Sequence, residues 1–267
     1  MTLILGLGQE MVISSKKNEL SGDTIIRVPM GFNKGQAGPL NQERPDVPET
    51  LEHVVDRKEF KIRLADTHGQ RSSASMLIKK MYSWRGYQTA FNMDDQPNRM
   101  TLVASSDDRT IGTITIGFDS AIGLLADDLY KVELDLLRSQ GRRLCEFTKL
   151  AVDGEIKSKQ VLAALFHIAF IYAFDIQKFT DLLIEVNPRH VKYYERMLGF
   201  MGWAETRINT RVNAPAVLLR LELGYVRSQI AKFGGKPELS TGEKSLYPFA
   251  FSQGEEAGIS NRLSQLS

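Results

Sequence analysis

The stretch Asp181 to Phe200, DLLIEVNPRHVKYYERMLGF, constrains the fold more than any other part of the chain. Its apolar run ends at Asn187-Pro188, where proline removes an N–H and drives its predecessor out of helical geometry. A charged amphipathic segment, Arg189 to Leu198, follows and stops at Gly199, the residue type best suited to a left-handed helix cap. A second apolar run starts at Phe200. The reading is strand, helix, strand, and strands linked by helices favour parallel pairing.

The same change of period recurs upstream. Phe60, Ile62 and Leu64 alternate with Lys61, Arg63 and Ala65 as a strand does, and Ser72 to Tyr82 carries Met76, Leu77, Lys80 and Met81 at helical spacing. Met100 to Ser105 and Thr110 to Phe118 are β-rich runs joined by the turn Ser106-Asp107-Asp108-Arg109, which predicts an antiparallel hairpin. Leu124 to Ser139 reads as a helix ended by Gly141, Leu144 to Val152 as a strand, and Ser158 to Phe174 as a strongly apolar helix. Phe200 to Arg207 and Ala216 to Leu223 are the last expected strands. The fold class that follows is α/β (α+β), a mixed sheet with helices on both faces.

Composition sets the limits. A chain of 267 residues with 42% hydrophobic and 25% charged residues can bury one good core and still carry extensions. Residues 1–55 contain a Gly, Pro, Asn and Gln-rich arm from Gly22 to about Thr50, and 225–267 is a second extension in which Tyr247, Phe249 and Phe251 could dock. The expected domain is 56–224. A net charge of +2 creates no field that calls for nucleic acid, and the single Cys145 forms no disulfide within the chain, which suits a reducing cytoplasm. No metal-ligand spacing of Cys and His occurs, and no apolar run has the length expected of a transmembrane segment.

The Asn187-Pro188 break, the helix carrying Tyr193-Tyr194-Glu195-Arg196 and the Leu198-Gly199-Phe200 ending resemble the last strand-helix-strand of the GNAT acyltransferase fold. Tyr194 lies five residues before Gly199, one more than in the usual ending. Together with Cys145-Glu146-Phe147-Thr148-Lys149-Leu150-Ala151-Val152-Asp153 and Ile184-Glu185-Val186-Asn187-Pro188-Arg189-His190, the chain more specifically resembles the long-chain N-acyl amino acid synthases of FeeM type, relatives of the acyl-homoserine lactone synthases, over roughly residues 56 to 224. That resemblance implies a splayed GNAT-like central sheet and transfer of a fatty acyl group to an amino acid. Parallel strands that part leave a cleft in which a pantetheine arm can add to one strand edge. Amides near Leu150 and Val152 then stand where a thioester oxygen gains negative charge.

Coenzyme A enzymes of this fold carry a glycine-rich turn after that strand, where backbone N–H groups hold pyrophosphate. Here the region reads GEIKSKQVLAAL, with no glycine pair. The expected donor is therefore an acyl-phosphopantetheine thioester on an acyl carrier protein, a substrate in a protein with no bound cofactor. An acidic carrier would dock on Lys157, Lys159, Arg189, Lys192 and Arg196, residues that otherwise form an ordinary solvated surface.

Attack on the thioester needs a neutral amine. Glu146, in an otherwise apolar strand, is the leading candidate for its base, the alternatives being a structural pair with Lys149 or a carboxylate bonded to nearby backbone; Glu146 and Lys149 can serve one cleft only if a bulge intervenes. Lys149 counts as substrate-binding, as does Arg85, whose planar fork suits a carboxylate or a packed helix end. Tyr194, with Tyr193 as competitor, can protonate the departing thiolate, and Asn187 organises the strand-to-helix turn as much as it contacts a ligand. His167, within LFHIAFIYAF, reads as a packed core residue, and Cys145 has no partners for nucleophilic chemistry. The rival functions are a coenzyme A-dependent N-acetyltransferase acting on a small amine, and a non-catalytic acyl-carrier sensor or scaffold.

Overall fold

Alternating apolar residues pair into strands, the first six in the order of the chain, and the helices between them cover the two faces. The computed structural model describes residues 24–30, 59–83, 86, 98–155 and 159–266. Its strands are β1 (Thr24–Pro29), β2 (Glu59–Leu64), β3 (Arg99–Ser106), β4 (Arg109–Phe118), β5 (Leu144–Val152), β6 (Asp181–Val186), β7 (Met201–Gly202), β8 (Arg207–Asn209) and β9 (Ala214–Glu222). The helices are α1 (His68–Ser83), α2 (Asp127–Ser139), α3 (Lys159–Phe170), α4 (Val191–Leu198), α5 (Leu223–Phe233) and α6 (Gln253–Leu266).

The sheet order is β1-β2-β3-β4-β5-β6-β9-β7, with β8 also on β9. Every pairing among the described residues is antiparallel except β5 with β6. The β3–β4 hairpin turns at Asp107 and Asp108, with φ of 48° and 58°, the backbone that a two-residue hairpin turn requires. The α3 crossover, by contrast, returns the chain parallel to β5.

Neighbouring residues on each strand face opposite sides. Leu144 and Leu183 pack with Leu134 and Leu137 of α2, while α1 brings Leu77, Ile78 and Met81 to Ala151. Cys145, Phe147, Leu182 and Ile184 lie in the larger cluster with α3, α5 and α6. The apolar stretch Lys159–Ile176 has the length and composition of a membrane span, but 67% of it is buried inside the protein, as suits a core helix. Its last turn widens into a π-helix, with Gln177 N donating to Tyr172 O at 2.9 Å.

Two expectations need correction, and a third gains detail. Thr24–Pro29, within the presumed arm, is an edge strand on β2; the remainder of 1–55 lies outside the described residues. Phe200 to Arg207 is not one strand but the two short pieces β7 and β8, separated where Trp203 and Ala204 N–H groups turn to Leu218 O. The extension 225–267, apart from the undescribed Ser267, docks on the core through Tyr247 and Phe251, with Phe249 packed beside them. Leu246, Tyr247, Phe251, Ile259 and Leu263 are buried, Tyr247 Oη donates to Leu198 O at 2.6 Å, and Leu246 N donates to Met197 O at 2.9 Å.

The C-terminal segment also explains His167. Its ring stacks on Phe251 at 5.4 Å, its Nδ1 accepts the Phe251 N–H at 2.9 Å, and burial with the nearby Arg227 charge holds its pKa down to about 3. It is a neutral core acceptor. Cys145 is likewise buried, its thiol pKa pushed well up by desolvation.

Because Phe251 fills a core position, Phe251→Ala is expected to destabilise the protein by about 3 to 5 kcal/mol. Thermal unfolding checks this, and a Phe251→Leu variant should recover much of the loss.

Candidate active site

β5 and β6 pair as Leu144↔Asp181, Cys145↔Leu182 and Glu146↔Leu183, and there the ladder stops. β6 stays paired with β9 as far as Val186↔Val217, and β5 stays paired with β4 as far as Val152↔Gly112. The inner edges alone have parted. The register between β4 and β5 shifts from Thr115↔Thr148 to Thr113↔Ala151, so β5 carries an extra residue there. Lys149 adopts φ 51°, and its carbonyl accepts Thr113 Oγ1 at 2.8 Å. This is a β-bulge, which bends and twists the strand that bears it. Beyond it, Asp153 N donates to Ile111 O on β4 at 2.9 Å, so strand alternation turns the Val152 N–H toward the edge that β6 has left.

A cavity of about 490 Å³ fills the gap. Phe147 to Val152 form one wall and Glu185 to Asn187 the other. Leu162 of α3 and Tyr193 and Tyr194 of α4 close it on one face; Tyr82 of α1, Leu125 before α2, and Arg211 between β8 and β9 close it on the opposite face. The opening therefore runs through the sheet.

Lys149, Leu150, Val152, Asn187 and Tyr194 all line this cavity. Asn187 caps the short turn Pro188–His190: its Oδ1 accepts Arg189 N at 3.2 Å and its Nδ2 donates to Pro215 O at 3.3 Å. Tyr194 meets Tyr193 and Phe200 edge-on, at 5.4 and 5.9 Å. Lys159, Arg189, Lys192 and Arg196 are exposed in the first turns of α3 and along the chain from Arg189 into α4. Arg85 and Lys157 lie outside the described residues.

Glu146 occupies a different position from these residues. It does not line the cavity, its Oε1 accepts Leu125 N at 2.9 Å, and its Oε2 accepts Ala126 N at 3.1 Å. Arg99 stands 3.5 Å from Oε1. Burial raises the Glu146 pKa against the pull of these donors. The carboxylate thus anchors the turn that leads into α2, and this is why the helix starts at Asp127 rather than at Leu124. Asp127 completes the turn by accepting Leu124 N at 2.7 Å.

The strand pattern left Glu185 unassigned, although it is also a carboxylate in an apolar run, the signal that singled out Glu146. Its Oε2 accepts Asn209 Nδ2 at 3.2 Å and is held by Arg211. Its Oε1 is buried and has no hydrogen-bond partner, as is the Oγ1 of Thr148 across the gap. Burial pushes the Glu185 pKa up to about 7; the Arg211 charge opposes that rise, while Glu146 and Asp128 add to it. Desolvation outweighs the ion pair here.

A strand edge parted from its neighbour, a cavity through the sheet, a tyrosine on one face and a near-neutral carboxyl on the other define an N-acyltransferase of GNAT fold. A family model described as N-acyl amino acid synthase FeeM matches residues 73–222, more than half of the chain, and the chain belongs to that family. The solved structure of FeeM, an N-acyl amino acid synthase from uncultured soil microbes, superimposes with a TM-score of 0.60 at 28% identity, covering 65% of this chain and 98% of FeeM. An acyl-CoA N-acyltransferase from Pseudomonas aeruginosa gives a TM-score of 0.44 at 14% identity, over 61% of this chain and 98% of that one. The acyl-homoserine lactone synthase LasI gives 0.44 at 12%, over 62% and 91%. No curated protein sequence matches the chain.

A carboxyl whose pKa rises from 4.5 to about 7 on folding stabilises the protein below the lower value and loses that contribution as pH climbs through the higher one. Glu185→Gln lacks this loss. Between about pH 4 and pH 8, urea unfolding should show the stability difference moving in favour of the variant by on the order of 3 kcal/mol.

Proposed function

We propose that the protein joins a long-chain acyl group, delivered as a thioester on the phosphopantetheine of an acyl carrier protein, to the amino group of an amino acid. The observation that carries this reading is the parting of β5 from β6 after the Glu146↔Leu183 rung, beside a cavity that crosses the sheet. A pantetheine arm is an extended amide chain, and such a chain binds most readily as an added strand. The acyl group then lies against Phe147, Leu150, Val186 and Pro215, an apolar lining suited to alkyl carbon.

The thioester oxygen accepts from the β5 amides near Leu150 and Val152, which stabilise the oxyanion as the amine attacks. Collapse of the tetrahedral intermediate breaks the C–S bond, and Tyr194 supplies a proton to the departing thiolate. Arg85 and Lys149 bind the amino acid carboxylate in this scheme, with Asn187 keeping the cavity wall in place.

Two features support a carrier over free coenzyme A. The stretch from Gly154 to Lys159 has no glycine pair to bring backbone N–H groups against a pyrophosphate. Exposed cations also cluster near the cavity: Lys159 lies one turn before the lining residue Leu162, and Lys192 adjoins the lining residue Tyr193. A carrier donor goes with a cytoplasmic location.

Purified protein incubated with long-chain acyl carrier protein and a mixture of amino acids should yield N-acyl amino acids by mass spectrometry. Efficient transfer from acetyl-coenzyme A to small amines, with no product from the carrier thioester, would refute the proposal. Lys159→Glu combined with Lys192→Glu should weaken carrier binding at least about tenfold at low ionic strength, with the difference shrinking as salt is added. Equal affinities at low salt would reject this docking face.

A further inference from the structure

We propose that Glu185 and Thr148 form the amine-binding subsite, with Glu185 taking the proton that the attacking amine must lose and Arg211 acting as its positioning residue. The proposal rests on the reading of the chain as an acyltransferase to amines.

Its basis is the placement of two unsatisfied atoms. Glu185 follows Leu183 by one strand repeat, and Leu183 packs with α2; Thr148 follows Glu146 by one repeat, and Glu146 holds the turn before α2. Both side chains thus belong to the α1 and α2 face, on opposite sides of the gap between β5 and β6. Both residues line the cavity, and Glu185 Oε1 and Thr148 Oγ1 are buried without a partner. The other unpartnered buried side-chain atoms among the described residues, Arg63 Nε, Asn98 Oδ1 and His167 Nε2, belong to residues that do not line this cavity.

A carboxylate oxygen and a hydroxyl oxygen can both accept N–H, so the ligand that completes this pair is a primary amine or ammonium group. Leaving such acceptors empty is costly, and filling them with a substrate makes the cost part of recognition. Arg211 and Asn209 occupy the other oxygen of Glu185, and Arg211 is itself fixed by Leu125 O at 2.6 Å and by Asp128. The free oxygen is therefore held in one direction.

The donor and acceptor then approach from different faces. The thioester lies along β5 with Tyr194 on the α3 and α4 side, and the amine enters from the α1 and α2 side. One proton of the ammonium passes to Glu185 and on to water. The amine lone pair forms the C–N bond, the C–S bond breaks, and a second proton from nitrogen replaces the one that Tyr194 gives to the thiolate. The charged and titratable groups facing Glu185 are Arg211, Asp128 and Tyr130, with Glu146 behind the turn. Their balance with burial sets a carboxyl near 7, the range in which a base accepts a proton and releases it again.

The test uses the full chain with acyl donor held saturating. For native protein, kcat/KM toward an amino acid should fall below about pH 7, and this acidic limb should vanish with hydroxylamine, an amine already neutral there. Glu185→Gln should lose about 100-fold or more in kcat with amino acids while transfer to hydroxylamine stays within a few-fold of native. Thr148→Val should raise KM for the amino acid about tenfold and leave KM for the acyl donor unchanged, with Thr148→Ser restoring it. If the native limb persists with hydroxylamine, or folded Glu185→Gln turns over amino acids at the native rate, the subsite is wrong while the acyltransferase reading stands. If native protein acylates no amine at all, both readings fail.

Discussion

The separation of β5 from β6 is the constraint on which the site depends. The two strands share three parallel rungs and then part, and the cause lies in β5 itself. An extra residue at Lys149, in left-handed geometry, is pinned by the Thr113 hydroxyl to its carbonyl, so the strand twists away while remaining paired with β4. Without that bulge the ladder could continue, the amides beyond Phe147 would find partners in β6, and the cavity would close. The same bulge breaks the alternation that would otherwise place every second residue of β5 on a fixed face.

Two carboxylates on adjacent apolar strands show how neighbours assign roles. Glu146 gives both oxygens to backbone amides and thereby fixes the start of α2. It stands so close to β4 that a Cβ at Gly117 would come within 2.7 Å of its Cγ, and only glycine leaves that space. Glu185 keeps one oxygen free beside the cavity. Arg211 joins the two regions, binding Glu185 and the carbonyl of Leu125, whose own amide is held by Glu146. A single turn before α2 thus links the structural carboxylate to the proposed base.

Much of the sheet was legible in the sequence because periodicity reports burial directly. The runs at 60–64, 100–105, 110–118, 144–152 and 181–186 all became strands, and Gly199 caps α4 with φ 82°. The Asn187-Pro188 break signalled the turn that the structure shows. Thr24–Pro29 escaped notice because its neighbours are rich in turn formers, and the C-terminal segment because its apolar residues are sparse: Tyr247 meets α4, Phe251 meets α3, and α6 packs on β1 and on the π-helical end Ile171–Ile176, which no local pattern reveals. The site divided the same way. Leu150, Val152, Asn187 and Tyr194 came together because they lie on elements that the periodicity had located. Thr148, Asn209 and Arg211 are ordinary polar residues until the fold brings them to Glu185.

Amide hydrogen exchange at Val152 and Leu150 tests the central claim most directly. In the free protein these N–H groups, lacking a β6 partner, should exchange faster than those of Cys145 and Glu146; a non-transferable acyl-pantetheine amide should slow them markedly. Slow exchange in the free protein, or binding of the analogue with no protection at these positions, would contradict an open strand edge that receives the thioester.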